Sequence, residues 1–349
     1  MSTSNFSIGN KVIGVNNPCF IIAEVGLAHD GSLGAAYSFI DASAASGVDA
    51  VKFQTHIASA ESSVREGFRV NVFPQDKNRY DYWERTSFTK SQWKNLKEYA
   101  EDKNLKFLST PFSNEAVNLL REIGLNTWKV GSGDVNNLLL LEEIAEKPDP
   151  VLLSSGMSYL SEIDESVQFL QSRGCPVMVM QCTTSYPCPP ENYGLDMINE
   201  FQERYNLPIG YSDHSGEIAP GLAAVTLGAN AVEVHVTWNK QCFGPDVKAS
   251  LTFSQLTELV KGIRLIESSL RLKTNKDQIA SEFNPLRKLF TKGLFARRDI
   301  ESGHFLSPKD IVALKPCEGI SAKEYHKIIG KKVKHVIASG QPITWADLE

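Results

Sequence analysis

The sequence predicts an α/β protein in which a (β/α)₈ barrel is followed by a small, mostly β domain. Over roughly the first 270 residues, eight apolar strand-like runs alternate with helix-like segments, and each run ends in polar or glycine-containing sequence. The alternation then gives way to short β-like runs and turns. A doubly wound sheet is the alternative fold, but it usually carries a glycine-rich turn after its first strand, where this chain has Glu24-Val25-Gly26. We therefore expect a barrel over 1–270, a linker over 271–291 and the small domain over 292–349.

Short apolar runs are the predicted barrel strands. They are rich in Val, Ile, Leu and Phe, as is typical of parallel strands buried on both faces. In chain order they are Phe20–Ala23, Ala50–Gln54, Leu105–Leu108, Thr127–Val130, Val151–Leu153, Pro176–Gln181, Pro208–Ser212 and Ala231–Thr237.

A helix is expected after each strand. A long polar insertion, about His56 to Ser87, separates the second strand from its helix. Ser113 is placed to cap the third helix, with Glu115 in its first turn. The other helices are expected over Gly31–Gly47, Lys90–Lys103, the leucine-rich stretch beyond Asp134, Ser161–Ser172, Leu195–Tyr205, Glu217–Leu227 and Ser254–Leu270.

The tail differs from the barrel in composition. Arg271 to Glu282 is charged and polar, which indicates a linker or a solvated helix end. Beyond it, β-like runs occur at Gly293–Ala296 and Val333–Ala338, and a helix is expected only over Ala322–Ile329. The roughly 58 residues of this domain make only a small core, so we expect it to lean on the barrel or on a second chain.

Polar side chains at the strand ends should share one mouth. The carboxyl ends of parallel barrel strands meet at a single face, where barrel active sites lie. The side chains gathered there are Glu24, Lys52, Gln54, Thr110, Lys129, Ser132, Asp134, Ser154, Tyr186, Ser212, His214, Glu233 and His235.

Two histidines should meet at this rim. His214 follows one strand and His235 lies in the next, and each has a carboxylate nearby, Asp213 or Glu233. A single histidine on an apolar strand is more often a core residue, so the prediction depends on the pair. Two imidazoles suit a divalent ion, and the coordination positions they leave open favour a catalytic metal over a structural one.

Two lysines on different strands, Lys52 and Lys129, favour an anionic substrate, because ammonium groups act as point charges for phosphate or carboxylate. The alternatives are salt-bridged strand ends or a Schiff-base lysine. Glu24 is a candidate general base, or else an ion-pair partner of Lys52. Asp246, in the turn after the last strand, is a candidate for holding a substrate hydroxyl, or else hydrogen-bonds its own backbone.

Composition excludes several functions. The net charge is −5 and no block of like charges occurs, which gives no support to nucleic-acid binding or to a polybasic membrane anchor. The six cysteines are scattered without a CxxC pair, and no apolar run reaches the length of a membrane span. The first residues lack the apolar core of a signal peptide. We expect a soluble cytoplasmic protein with reduced thiols.

Together and in order, the strand-end motifs resemble those of the sialic acid (nonulosonate) synthase family. The resemblance covers the whole chain. The motifs are specific to this family only when they are taken together. The motifs are Phe20-Ile-Ile-Ala-Glu24, Val51-Lys52-Phe53-Gln54, Ser109-Thr110-Pro111-Phe112, Lys129-Val-Gly-Ser132-Gly, Ser154-Ser155-Gly156-Met157, Cys182-Thr183, Tyr186-Pro187, Ser212-Asp213-His214, Glu233-Val234-His235, Gly244-Pro245-Asp246 and Lys315-Pro316-Cys317-Glu318-Gly319-Ile320.

This resemblance implies a phosphoenolpyruvate-condensing barrel followed by an antifreeze-like, or SAF, domain. It implies that His214 and His235 hold a divalent metal, Mn²⁺ first, with Mg²⁺ or Co²⁺ possible. Lys315 stands where the family has an arginine that reaches the partner subunit's mouth. Glu24, Gln54, Asp134 and Asp246 would face the sugar and the activated water, and phosphoenolpyruvate would be surrounded by Lys52, Thr110, Lys129, Ser132, Ser154, Tyr186 and Ser212.

The expected reaction joins phosphoenolpyruvate to an open-chain sugar of the N-acetylmannosamine type and releases phosphate. A 6-phosphate sugar and a 6-deoxy diacetamido hexose are alternative acceptors. A Schiff-base aldolase or lyase is the rival enzyme class, and a carbohydrate-binding tail on an inert barrel is the non-enzyme alternative. Because the tail is small and its linker charged, we expect a homodimer with swapped small domains.

Overall fold

The computed structural model describes residues 6–70, 75–272 and 274–349. The chain divides into two compact units, Met1–Arg271 and Leu272–Glu349. The predicted polar insertion includes residues 71–74 and the predicted linker includes residue 273, and these positions lie outside the described residues.

An amino-terminal hairpin precedes the barrel and was missed by the sequence prediction. Strand β1 (Phe6–Ile8) pairs antiparallel with β2 (Lys11–Ile13), and Gly9 between them has a φ of 57°, which favours glycine. The buried side chains of the hairpin pack in one cluster with inward-facing barrel residues such as Met178 and Met180. Strands of three residues are too short to show a period, so only this packing identifies them.

Eight parallel strands follow, and each begins close to its predicted position. They are β3 (Phe20–Gly26), β4 (Ala50–Thr55), β5 (Lys106–Pro111), β6 (Trp128–Val130), β7 (Val151–Ser154), β8 (Val177–Cys182), β9 (Ile209–Asp213) and β10 (Ala231–Thr237).

The order of these strands is that of a barrel. The hydrogen-bonded path runs β5-β4-β3-β10-β9-β8-β7-β6, so the first and last barrel strands lie side by side, with Glu24 paired in register with His235. A doubly wound sheet lacks that closure, and the predicted barrel is confirmed. A two-residue strand, β11 (Leu251–Thr252), pairs in parallel with the last two residues of β10.

Helices cover the outside of the barrel, and several of them begin at a side-chain cap. The predicted cap Ser113 accepts a hydrogen bond from the Ala116 amide, and Thr89 forms a capping box with Gln92. The described part of the polar insertion contains two short helices. The helices are α1 (Leu33–Ser46), α2 (Ala58–Glu61), α3 (Arg79–Thr86), α4 (Lys90–Asp102), α5 (Asn114–Glu122), α6 (Leu138–Ile144), α7 (Leu160–Ser172), α8 (Met197–Tyr205), α9 (Ala219–Thr226) and α10 (Phe253–Leu270).

The second unit begins with helices where the sequence suggested a linker. Asn275 caps the first of them by accepting hydrogen bonds from two following backbone amides, which stabilises a helix without a buried face. The elements of this unit are α11 (Lys276–Glu282), α12 (Asn284–Phe290), β12 (Gly293–Ala296), β13 (Ile311–Leu314) and α13 (Tyr325–Ile328).

The second unit has its own small core, which includes Leu294, Ile328 and Val333. Strands β12 and β13 pair antiparallel. The β-like run Val333–Ala338 forms no regular strand: Val333 bridges to Leu348 while Ile337 bridges to Ile300, so its two ends pair with different segments. Within the described ranges, no helix of either unit has both the length and the apolar character needed to cross a membrane.

Candidate active site

A cavity of about 430 Å³ lies at the carboxyl ends of the barrel strands. Every barrel residue predicted for the site lines it, whereas Lys315 belongs to the second unit, where its ammonium lies 5.3 Å from the centre of the Phe290 ring. The predicted residues in the cavity are Glu24, Lys52, Gln54, Thr110, Lys129, Ser132, Asp134, Ser154, Tyr186, Ser212, His214, His235 and Asp246.

Four buried charges form a network at the floor of the cavity. Lys52 Nζ lies 2.9 Å from Glu24 Oε2 and 3.5 Å from Glu233 Oε1, and Lys129 Nζ donates a hydrogen bond of 3.1 Å to that same Glu233 oxygen. All four side chains are buried. A buried charge is costly unless it is paired, and each charge of this network has an opposite charge beside it.

The pKa values of the two carboxyl groups in the network are shifted in opposite directions. Burial alone would raise the pKa of Glu233, but Lys129 and Lys52 outweigh it and lower that pKa to about 2. Burial raises the pKa of Glu24, and Lys52 offsets this only in part. Glu233 is therefore a fixed anion, while Glu24 is the carboxylate suited to exchange a proton.

The same network keeps Lys52 a cation. Burial lowers its pKa, but the Glu233 and Glu24 carboxylates outweigh burial and raise it. A Schiff-base lysine needs a lowered pKa to expose its free amine. The site therefore disfavours Lys52 as a nucleophile and suits it to holding an anion.

Hydroxyl groups surround the two ammonium groups. Thr110 Oγ1 accepts a hydrogen bond of 3.1 Å from Lys52, and Ser212 Oγ donates one of 3.2 Å to Glu233 Oε1. The Ser132 hydroxyl donates to Cys182 Sγ, and Ser154 is buried at the end of β7. Such hydroxyls can complete the hydrogen bonds of a phosphate or carboxylate group.

The predicted histidine pair is present, with ring centres 5.2 Å apart. His214 Nδ1 contacts the Thr183 carbonyl oxygen, which can only accept, so Nδ1 carries the proton. Its Nε2 atom lies 3.0 Å from the hydroxyl group of Tyr186, and both residues line the cavity. This is the arrangement by which proteins orient a metal-binding imidazole.

The histidines differ in protonation. Burial lowers the pKa of His235 to about 3, which leaves a neutral imidazole. Burial also acts to lower the pKa of His214, but the adjacent Cys182 outweighs it and raises that pKa; in return, His214 lowers the pKa of the buried Cys182 thiol to about 7. A metal at His214 would compete with a proton for Nε2.

The two imidazoles fit a divalent ion with open positions. Within the described ranges, no group of three or more His, Cys, Asp or Glu side chains is arranged to hold a metal. A metal at His214 and His235 would thus take its remaining ligands from water or substrate oxygens, as in catalytic sites.

The insertion supplies cavity residues that the sequence did not reveal. Arg69 Nη2 lies 2.6 Å from Asp246 Oδ1, and the Arg69 guanidinium lies 4.0 Å from the centre of the Tyr186 ring. Arg69 thus joins the insertion to two predicted substrate residues at the cavity.

Asp134, another residue that lines the cavity, has a pKa that is raised by burial. Asn137 donates a hydrogen bond to its Oδ1 atom.

A family model decides the relationship. The NeuB family model matches residues 39–275, which is most of the barrel, and the SAF domain model matches residues 291–349. The chain belongs to the NeuB family. This confirms the family resemblance seen in the strand-end motifs and the antifreeze-like assignment of the tail.

Several relatives of this NeuB-family chain are sugar-acid synthases. The N,N'-diacetyllegionaminic acid synthase of Campylobacter jejuni is 34% identical, over 89% of this chain and 94% of its own length. The human N-acetylneuraminate-9-phosphate synthase is also 34% identical, over 92% of this chain and 90% of its own length. A crystal structure of N-acetylneuraminic acid (sialic acid) synthetase from Leptospira borgpetersenii in complex with citrate has a TM-score of 0.71 and 33% identity, over 82% of this chain and 98% of that one.

Proposed function

We propose that this NeuB-family chain condenses phosphoenolpyruvate with the open-chain form of an N-acylated hexosamine and releases phosphate. The observation that carries the proposal is the convergence of the Lys52 and Lys129 ammonium groups on one oxygen of Glu233, at 3.5 and 3.1 Å. This places two buried ammonium groups, bridged by one carboxylate, beside an imidazole pair. A small dianionic or trianionic substrate fits such a site better than a neutral one does.

The reaction forms one carbon–carbon bond and breaks one carbon–oxygen bond. C3 of phosphoenolpyruvate attacks the sugar aldehyde carbon, the aldehyde oxygen gains a proton, and positive charge develops at C2. Water then adds at C2, and Glu24, whose pKa is raised by burial, takes its proton. The resulting hemiketal phosphate loses phosphate together with the former bridging oxygen and leaves a 2-keto acid.

The chain's own residues hold the reactants in place. Lys52 and Lys129, with Thr110, Ser132, Ser154 and Ser212, are proposed to bind the phosphate and carboxylate of phosphoenolpyruvate. Tyr186 would contact the same substrate, while Gln54, Asp134 and Asp246 would contact the sugar. A divalent ion, Mn²⁺ first and Mg²⁺ or Co²⁺ otherwise, would be held by His214 and His235 and would supply Lewis-acid polarisation of the aldehyde.

The cavity charges support an unphosphorylated acceptor. Both arginines among the described lining residues are already paired, Arg69 with Asp246 at 2.6 Å and Arg79 with Glu66 at 2.8 Å. A phosphate on the sugar would have to share a guanidinium with the carboxylate already paired to it. N-acetylmannosamine or a diacetamido hexose is therefore proposed over a 6-phosphate sugar.

Phosphate release provides the test. Purified protein with phosphoenolpyruvate and Mn²⁺ should release phosphate only when an acceptor is added, and N-acetylmannosamine or a 6-deoxy diacetamido hexose should exceed N-acetylmannosamine 6-phosphate. Glu24→Gln is the matched control, since it keeps the size of the side chain but removes the base. Borohydride treatment with pyruvate tests the Schiff-base alternative, and a stable lysine adduct would contradict the proposal.

A further inference from the structure

His56 lies in an aromatic stack beside the cavity. Its ring is parallel to Trp83, with centres 3.9 Å apart, and within 9° of parallel to Phe112 on the other side, with centres 4.3 Å apart. The side chain is buried, and the stack fixes the plane of the imidazole. Both ring nitrogens consequently point in fixed directions.

Each nitrogen meets one partner. His56 Nδ1 lies 2.6 Å from Glu61 Oε1, and His56 Nε2 lies 3.3 Å from Gln54 Oε1. Gln54 Nε2 in turn donates a hydrogen bond of 3.1 Å to Glu24 Oε1. A chain of contacts thus runs from the insertion to the proposed general base.

The hydrogen bonds of this chain place a proton on His56 Nε2. Glu24, ionised beside Lys52, can only accept, so Gln54 donates through its amide nitrogen and turns its carbonyl oxygen toward His56. That oxygen can only accept, so His56 Nε2 carries a proton. Whether Nδ1 donates to the Glu61 carboxylate or accepts from a protonated Glu61, one proton lies between them and Nε2 stays a donor.

We propose that His56 and Glu61 are positioning residues that fix the orientation of the Gln54 amide. With the amide held in this sense, Gln54 presents N–H groups to Glu24 and to the cavity. Without a donor at His56 Nε2 the carbonyl oxygen of Gln54 loses its partner, and only the hydrogen bond to Glu24 still holds the amide. This inference rests on the proposed function for its kinetic readout only.

His56→Phe is the first test variant, because it preserves the stacked ring and removes both nitrogens. We expect its melting temperature to fall, because the buried Glu61 carboxylate loses its partner. The KM for the acceptor should rise roughly tenfold through loss of an oriented hydrogen bond, and the KM for phosphoenolpyruvate should stay unchanged. In a Gln54→Leu background, His56→Phe should have no further effect, because it acts only through that amide. Additive losses would overturn the proposal.

Glu61 provides a pair of variants that does not disturb the stack. Glu61→Gln can donate an N–H to Nδ1 and so keep the proton on Nε2, whereas Glu61→Leu cannot. The KM for the acceptor should therefore stay within roughly threefold of wild type in Glu61→Gln and rise further in Glu61→Leu. Equal effects of the two substitutions would contradict the proposed role of the His56–Glu61 pair, called the dyad below, even if His56→Phe fails to fold.

Nitrogen NMR of protein with isotopically labelled histidine gives a readout independent of turnover. The proposal expects a protonated Nε2 in His56, assigned by its loss in His56→Phe, and an unprotonated Nε2 would overturn it. If wild type releases no phosphate with any acceptor, the proposed function fails while this measurement still decides the dyad. If wild type is active and the kinetic cycle is additive, the dyad fails and the proposed function stands.

Discussion

Lys129 Nζ lies 3.1 Å from Glu233 Oε1, and both side chains are buried. The lysine comes from β6 and the glutamate from β10, so the pair joins strands that are not neighbours in the barrel. Lys52 approaches the same oxygen from β4. One carboxylate thus holds two cations ready for an anionic substrate, and one of these cations, Lys52, also pairs with the proposed base, Glu24, at 2.9 Å.

The role of Lys129 can be separated from covalent catalysis by substitution with methionine. Lys129→Met should raise the KM for phosphoenolpyruvate by roughly 10- to 150-fold, because a lost charge contact in a desolvated site costs about 1.5–3 kcal/mol. Glu233 keeps Lys52 as a partner, so the fold should survive. Steady-state kinetics check the result, with circular dichroism as the folding control. An unchanged KM together with a lost kcat would point to a covalent lysine.

Metal binding should depend on His235. His235→Ala removes one of the two proposed protein ligands, so the affinity for Mn²⁺ should fall by at least roughly 10- to 100-fold and activity should stay far below wild type with excess metal. Electron paramagnetic resonance titration of Mn²⁺ measures the affinity directly. His335→Ala, an exposed histidine of the second unit, is the control and should bind as wild type does. Near-normal turnover of wild type in EDTA would contradict a metal role.

Arg69 should position Asp246 and Tyr186 for the acceptor. Arg69→Ala removes the ion pair and the cation–π contact, so the KM for the sugar should rise by roughly 3- to 30-fold with little change in the KM for phosphoenolpyruvate. Arg65→Ala, an exposed arginine of the same insertion, is the matched control and should behave as wild type. A larger effect on phosphoenolpyruvate than on the sugar would place Arg69 with the other substrate.

Assembly can be tested by complementation between two inactive variants. If Lys315 completes the mouth of a second subunit, mixed dimers of His235→Ala and Lys315→Ala chains contain one mouth with both residues intact. Co-expression with two different tags should therefore recover some activity in the doubly purified species. Mixed dimers that form but stay inactive would count against a contact in trans.

The barrel and most of its mouth were predictable because they follow from local patterns. Apolar runs marked the strands, and parallel topology brings their polar ends together regardless of how far apart they lie in the chain. Lys52, Lys129, His214 and His235 were all found in this way. The same patterns cannot reveal which charges pair, and Glu233 was expected to support a histidine but instead anchors two lysines.

The same reasoning could not predict which residues of the insertion line the cavity. The insertion lacks a hydrophobic period, and its cavity residues are defined by partners distant in the chain: Arg69 meets Asp246, and His56 meets Phe112 and Trp83. Only the His56–Glu61 spacing is local, and it acquires meaning once the aromatic stack fixes the ring. The hairpin of β1 and β2 was missed for a related reason, since strands of three residues show no alternation.

The most direct test of phosphoenolpyruvate condensation follows the bridging oxygen. Phosphoenolpyruvate is labelled with heavy oxygen between C2 and phosphorus. It is incubated with the enzyme, Mn²⁺ and either N-acetylmannosamine or a 6-deoxy diacetamido hexose. Mass spectrometry then measures the masses of both products. The account predicts phosphate and a nine-carbon keto acid in equal amounts, with the label in the phosphate. Label retained in the keto acid, or no sugar-dependent phosphate with either acceptor, would contradict it.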